Sequence, residues 1–207
     1  QMNQPGNELC SVEQPVEVLL EGVNQTSIVP GDDKGVLDAV LANVAINPDV
    51  LALSEIKTPD LATTVLQAAA TGQFMLATAF AENVTDALIR VNHWSAGSTA
   101  LISAVNLVVA QKLIRRLCNA CKVQRQPTEA ELLKLGSSPG EITLFDAVGC
   151  EDCHDGYRGR VGVFEVLKVS AAMANAIAGG MASPEIDEML AEAQLLRLQD
   201  VARQKVR

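Results

Sequence analysis

Along the first half of the chain, short apolar runs alternate with apolar stripes of helical period. Glu8 to Val12, "ELCSV", reads as a short strand, and "VEVLLEGVNQTSIV" as two extended runs around Glu21-Gly22. Pro30-Gly31 breaks the chain, after which residues 35–46 set Val36, Leu37, Val40, Leu41 and Val44 on one helical face. Asp49 to Glu55, "DVLALSE", is an apolar run of strand length bounded by Asn47-Pro48 and Lys57-Thr58-Pro59, and it predicts a buried strand ending in a carboxylate. Thr58 as cap and Pro59 in the first turn open a helix that runs to Ala70. Thr71-Gly72 closes it, and "QFMLATA" predicts another buried strand. Helices are expected from about Asn83 to His93 and from about Ser98 to Gln111, and again in the tail, in "SAAMANAIAGG" and in a segment opened by Ser183-Pro184-Glu185. Strands alternating with helices over short links predict an α/β sandwich around a largely parallel sheet.

Composition narrows this picture. About half the chain is apolar (48%), enough for a substantial core. The longest apolar stretch, "TALISAVNLVVA", is interrupted by Ser103 and Asn106 and falls short of the ~20 residues of a membrane span, and no secretory leader is legible. Gln1 and Met2 read as an internal start, with more sequence expected upstream. The net charge of −9 resides in residues 1–103, where Lys34, Lys57 and Arg90 face twelve acids; the remainder is balanced. That distribution argues against a nucleic-acid footprint.

The cysteines carry the sharpest chemistry. Cys118 and Cys121 form one C-x2-C, Cys150 and Cys153 a second, 28 residues on. Two chelating turns with four thiolates suit a tetrahedral Zn²⁺ whose coordination is complete, hence a structural metal stapling a small lobe. Reduced, unligated thiols or two redox pairs are the plainer alternative. His154, next to a ligand, is surplus to the set, and Cys10 reads as a small buried hydrophobe. Glu55 sits where ligands gather in parallel α/β sheets, at a strand's carboxyl end, and a carboxylate there can orient water or hold Mg²⁺; equally, it can mark where a strand meets solvent. Glu13 and Glu17, in "VEQPVE", pose the same question. No stretch matches G-x4-G-K-[ST], the loop that cradles phosphates; "GDDKG" is acidic and wrongly spaced. Arg115, Arg116, Arg158 and Arg160 flank the cysteine pairs and suit either acidic surfaces or lipid headgroups, or else are solvated side chains packed on the lobe.

Taken together and in this order, "NPDVLALSEI", "TGQFMLATAF", "AQKLIRRLCNAC" and "GCEDCHDGYRGRVGVFEVL" resemble the C-terminal ATPase region of type II secretion and type IV pilus assembly ATPases, over about Cys10 to Val206. The cysteine lobe matches best. The resemblance implies a RecA-like three-layer α/β sandwich, divided as an α/β body without its phosphate-binding loop (1–111), a tetracysteine zinc-binding lobe (112–160), and a return strand with a helical C-terminal end (161–207). It also implies a cytoplasmic protein, peripheral to the inner membrane, in a homo- or hetero-oligomeric ring (a hexamer) with family members and inner-membrane platform proteins as partners.

The chain departs from the family at polar positions. Gln14, Asn47 and Thr58 stand for acids, Lys57 for an arginine, Gln73 and Phe80 for two histidines, and Leu41 and Ala45 for two arginines. Glu13, Glu17 and Glu55 remain as candidate catalytic residues, and ATP with Mg²⁺ is expected only with an upstream segment. The expected function is a structural or regulatory subunit impaired in ATP hydrolysis. The alternatives are the C-terminal part of an active ATPase that drives pilus or pseudopilus assembly, its phosphate loop lying upstream, and a zinc-ribbon nucleic-acid binder. Scarce aromatics (3%) disfavour the latter.

Overall fold

A computed structural model describes residues 3–206. They form two compact units, one running up to residue 108 and including 167–193, the other of residues 109–166 and the described residues from 194 onward.

In the first unit, β1 (Leu9–Glu13), β2 (Asn24–Ser27), α1 (Asp33–Ile46), β3 (Val50–Leu53), α2 (Pro59–Ala70) and β4 (Phe74–Ala77) build a four-stranded sheet in the order β2-β1-β3-β4, parallel throughout. Strand alternation turns Cys10 and Val12, with Leu51 and Leu53, to one face. Val36 and Val40 of α1 and Leu61 and Val65 of α2 cover that face and form the main core. The helix ends follow their cap chemistry. The Thr58 hydroxyl accepts from the Leu61 N–H with Pro59 at the first position, and Asn47 ends α1 in the left-handed conformation. α3 (Val84–Trp94), capped by Asn83, and the short α4 (Thr99–Ser103) follow.

The second unit opens with β5 (Leu107–Leu117), then holds β6 (Val123–Arg125), α5 (Glu129–Leu135), β7 (Leu144–Asp146) and β8 (Tyr157–Lys168). β5 and β8 pair as a two-stranded ribbon, and β6 and β7 pair antiparallel. The chain then adds α6 (Ala171–Ala178) and α7 (Ser183–Glu192) to the first unit and α8 (Leu198–Val206) to the second. Glu165, 2% exposed on β8, accepts from the Leu198 N–H at the start of α8 and lies 3.5 Å from the Arg197 guanidinium.

Four expectations change. The helix over 98–111 stops at Ser103, and Leu107-Val108-Val109 begin β5, because pairing with β8 overrides a period that fits either state. The first extended run, Val16 to Leu20, is irregular and exposed from Glu17 on, held instead by the Gln25 side chain, which accepts from the Leu20 N–H and donates to the Val18 carbonyl. "QFMLATA" is not a buried strand: β4 is the sheet's edge, with Phe74 49% and Leu76 51% exposed. The tail helix breaks at Gln194, whose φ is 56°, and its halves belong to different units.

The segment between the cysteine pairs is a β6-α5-β7 module with its own core of Leu132, Ile142 and Leu144 against Leu135. Thr128 and Glu131 cap α5 reciprocally, and Arg125 clamps Glu131 (2.6 Å) and Asp146 (2.7 Å). The Arg125 hydrogen bonds, followed by those from Thr128, hold the Glu131 carboxyl down at about 2 and push the Arg125 guanidinium up. A depressed folded-state pKa gives stability that is complete above the unfolded value of about 4.3 and is lost as pH falls towards 2. Accordingly, amide exchange of Leu132–Leu135 is expected to be slower in the native protein than in Glu131→Gln at pH 5.5, with the difference closing by pH 2; a difference that persists unchanged at pH 2 would refute the clamp.

Candidate metal centre and the carboxyl end of the sheet

Cys118 follows directly on β5, where its N–H donates to the Gly156 carbonyl (2.8 Å), and the Lys122 N–H donates back to the Cys118 carbonyl (3.0 Å), folding the first C-x2-C into a tight turn. The second pair closes the same way, through the Cys153 N–H to the Cys150 carbonyl (3.2 Å), and a bridge between His154 and Tyr157 then reverses the chain through Asp155 and Gly156, both at positive φ. All four sulfurs lie within 4.8 Å of one another. Individual separations are 4.0 Å for Cys118–Cys150, 3.7 Å for Cys121–Cys153 and 3.6 Å for Cys150–Cys153. These lengths are far beyond the ~2.05 Å of a disulfide. They bracket the ~3.8 Å edge of a tetrahedron whose centre lies ~2.3 Å from each sulfur, the length of a Zn–thiolate bond. The arrangement can hold a metal ion.

Without a metal these thiols disturb one another. Cys150 is pushed up to about 12: the Asp152 N–H lowers it, but Cys153, burial and the other two thiols outweigh that. Burial raises Cys121. Burial also raises Cys153, yet the Cys150 N–H and the Cys150 and Cys121 thiols prevail and hold it below the ordinary value. His154 points away, 96% exposed beside Asp155, and Cys10 is a buried core residue of β1. A Cβ at Gly156 would come within 2.6–2.8 Å of Ala147, and the residue's φ is +82°. Gly156→Ala is therefore expected to cost about 1–3 kcal/mol locally and to weaken metal retention, measurable by chelator competition; unchanged retention would show that the turn is not what sets the sulfur geometry.

The carboxylates fall elsewhere. Parallel strands place the ends of β1 and β3 at one edge of the sheet, with Glu13 closing β1 and Glu55 two residues past β3. Glu13 is engaged: its Oε1 accepts from the Ser11 hydroxyl (2.6 Å) and the Gln25 amide (2.8 Å). Glu17 lies exposed in the irregular segment after β1. Glu55 is half exposed, and its cationic neighbour is Lys57, whose ammonium donates to the Gln14 side chain (2.7 Å) and stands 3.9 Å from both Glu55 and Asp33. Sequence reasoning missed that network, although the i, i+2 pairing of Glu55 and Lys57 was visible. Thr78, after β4, donates its hydroxyl to the Ser54 carbonyl.

The substituted positions are spread out. Phe80, 71% exposed, follows β4 on the same side as Glu55. Gln73 precedes β4, at the amino end of the sheet, and its amide caps α1 by donating to the Val44 carbonyl (3.0 Å) and the Asn47 side chain (2.9 Å). Ala45 and Leu41 are exposed on the later half of α1, which also leads towards that amino end.

Residues 1–207 match the protein family described as type II/IV secretion system protein. Among individual proteins, the chain is 34% identical over 181 residues to the type IV pilus assembly ATPase PilB of Acinetobacter baylyi, covering 85% of this chain and 31% of that protein. It is 31% identical over 192 residues to the type II secretion system protein E of Aeromonas hydrophila, 92% of this chain and 38% of that one. The chain thus spans about a third of the length of these relatives. Among solved structures, the Legionella pneumophila ATPase DotB superposes with a TM-score of 0.65 at 15% identity, over 99% of this chain and 50% of that one. The pilus retraction motor PilT with bound ADP gives 0.59 at 18%, over 97% and 53%. These two likenesses are of fold, and the fold is a RecA-like α/β arrangement around a parallel sheet.

Proposed function

Because the chain belongs to the type II/IV secretion system protein family, we propose that it is the C-terminal domain of a secretion or pilus assembly ATPase-like protein, impaired in ATP hydrolysis and acting as a structural or regulatory subunit. The observation that carries the reading is the carboxyl end of the sheet. There Lys57 stands between Glu55 and Asp33 and is already shared by three oxygen partners, Glu13 closes the neighbouring strand β1, and Phe80 offers no charge. Phosphoryl transfer depends on cations facing the charge that develops on the transferred group. The first unit offers Lys34 in the first turn of α1, Lys57, Arg90 set against Trp94 (5.8 Å), and Lys168 at the end of β8. Gln73, a helix cap at the far end of the sheet, contributes nothing to this argument.

In this reading the four cysteines hold one structural Zn²⁺, and the body is part of a three-layer RecA-like sandwich that binds ATP and Mg²⁺ only through polypeptide outside residues 1–207. Glu55 keeps the capacity to orient a water. The protein works at the cytoplasmic side of the inner membrane, in a ring with copies of itself or with an active relative, beside platform proteins. No helix among the described residues is long and apolar enough to cross a membrane. Co-expression with an active PilB-type relative tests the regulatory role. Mixed assemblies are expected to hydrolyse ATP at a rate that tracks the active subunits and shifts when this protein is added; failure to co-assemble, with no shift in rate, would contradict it.

A further inference from the structure

The four cysteines of the metal centre are not equally protected. Cys118 is 2% exposed and Cys121 and Cys153 are partly covered, whereas Cys150 is open to solvent. Cys118 follows directly on β5, with its N–H tied to the Gly156 carbonyl; Cys150 and Cys153 lie in the loop between β7 and β8, outside any strand. The Cys150 sulfur is 3.6 Å from that of Cys153 and 4.0 Å from that of Cys118. Because the Cys153 N–H donates to the Cys150 carbonyl (3.2 Å), the second pair closes a turn whose Cα atoms stay within about 7 Å, near the ~4.4–6.8 Å that a disulfide spans. Shortening 3.6 Å to the ~2.05 Å of an S–S bond asks little of such a loop. Glu151, Asp152, His154 and Asp155, beside the pair, are all exposed, and three of the four are acids. A metal-bound cysteine is a thiolate, the nucleophilic form of the residue, and at Cys150 that sulfur is within reach of solutes.

We propose that Cys150 is an oxidation site for small uncharged peroxides and Cys153 its resolving partner, so that peroxide converts the second C-x2-C into a disulfide and opens the metal centre. This rests on the reading above that the four cysteines hold one structural Zn²⁺; the hydrolysis argument is independent of it. The Cys150 thiolate attacks one oxygen of hydrogen peroxide, the O–O bond breaks, and hydroxide leaves, taking up a proton to become water. The Cys153 thiolate then attacks the sulfur of the Cys150 sulfenic acid, the S–O bond breaks, and a second hydroxide leaves as water. In sum, two thiolates, one peroxide and two protons give one disulfide and two waters, the sulfurs having passed two electrons to oxygen. Cys153 resolves rather than Cys118 because it is nearer and sits in the same mobile turn, while Cys118 is buried and anchored between β5 and Gly156. Glu151, Asp152 and Asp155 repel anionic oxidants such as glutathione disulfide and leave an uncharged peroxide unhindered. Cys118 and Cys121 remain as two donors where a closed tetrahedral site needs four. The order of residues 109–166, whose other core is as small as Leu132, Ile142 and Leu144, is thereby tied to the oxidation state of one exposed sulfur.

Peroxide treatment of the zinc-loaded 207-residue chain, followed by metal release and by peptide mapping, tests it. Zinc content is measured first: a native chain that holds none overturns the structural-metal reading and this proposal together, before any oxidant is added. In a loaded chain, hydrogen peroxide in slight excess should release one zinc, read with a colorimetric chelator, for every two thiols lost. Trypsin cleavage after Arg116, Lys122, Lys134 and Arg158 places Cys118 with Cys121 on the peptide 117–122 and Cys150 with Cys153 on 135–158. The second peptide should become two hydrogens lighter and resist alkylation, while the first stays fully alkylated. Dithiothreitol with added zinc should restore both thiols and metal. Glu151→Gln/Asp152→Asn, which leaves every sulfur in place, should speed oxidation by glutathione disulfide about threefold or more at 50 mM NaCl and leave the peroxide rate unchanged; an unchanged rate with glutathione disulfide would overturn the selection of oxidant by charge. A disulfide within 117–122 or between the two peptides would overturn the assignment of Cys150 and Cys153. Zinc retained after both thiols are lost, sulfinic acid at Cys150 without a disulfide, or a loaded chain that keeps its zinc and all four thiols in peroxide would each overturn the proposal while leaving the structural metal standing.

Discussion

Cys118→Ser protein is expected to lose its metal and with it the order of residues 109–166, while the parallel sheet stays folded. Cys118 is the one fully buried ligand of the four, tied to Gly156 by its N–H and to three sulfurs by geometry, and a serine hydroxyl is a poor replacement for a thiolate on a soft-tolerant cation. Closed zinc sites in peptides contribute apparent free energies on the order of 10–16 kcal/mol, so forfeiting one ligand is expected to cost several kcal/mol in a unit whose other cores are as small as Leu132, Ile142 and Leu144. The core of Val12, Val40, Leu51 and Leu53 involves none of the cysteine lobe. Elemental analysis should therefore give one zinc per native chain and well under that in the variant. Limited proteolysis should cut the variant within 109–166 first. Global unfolding of the variant, or substoichiometric metal in the native protein, would contradict two separable cores and a structural zinc respectively.

Much of this was legible because the determinants are local. Thr58 and Pro59 announce α2, and Asn83 announces α3, since caps act within one turn. Two C-x2-C pairs draw a metal site without knowledge of the fold, because two-residue spacing is set by ligand geometry. The module between them was missed, although Thr128 with Glu131 and the glycine at 136 spell a capped helix; its strands have three residues each, too few to show a period. The first residues of β5, up to Gln111, were read as the end of a helix because Val105, Val108 and Val109 continue the helical stripe of Leu101 and Ile102, until a distant strand, β8, pairs with β5. The edge position of β4 depends on which strands flank it, information that its own four residues do not contain. At the sheet's carboxyl end, the sequence revealed the scarcity of cations but not that Lys57 is committed to Gln14, Asp33 and Glu55, nor that Gln73 faces away from them.

The expected consequence for chemistry is large. A transferred γ-phosphoryl group builds negative charge on its oxygens, and loss of one well-placed cation costs about 10³–10⁵ in rate. Around Glu55 the field is that of carboxylates, with Lys57 between them and Phe80 bare of charge. Leu41 and Ala45, exposed on α1, equally withhold any cation that helix would offer to a neighbour. Lys57→Met should leave this unchanged in kind: it removes an ammonium that is already neutralised and adds none opposite Glu55.

The most direct test is steady-state ATP turnover of the full-length protein, assembled and zinc-loaded, beside an active PilB-type relative under the same conditions and with Glu55→Gln as control. The account predicts turnover lower than the relative's by about 10³-fold or more, with Glu55→Gln making little further difference. Turnover comparable to the relative's, abolished by Glu55→Gln, would contradict it.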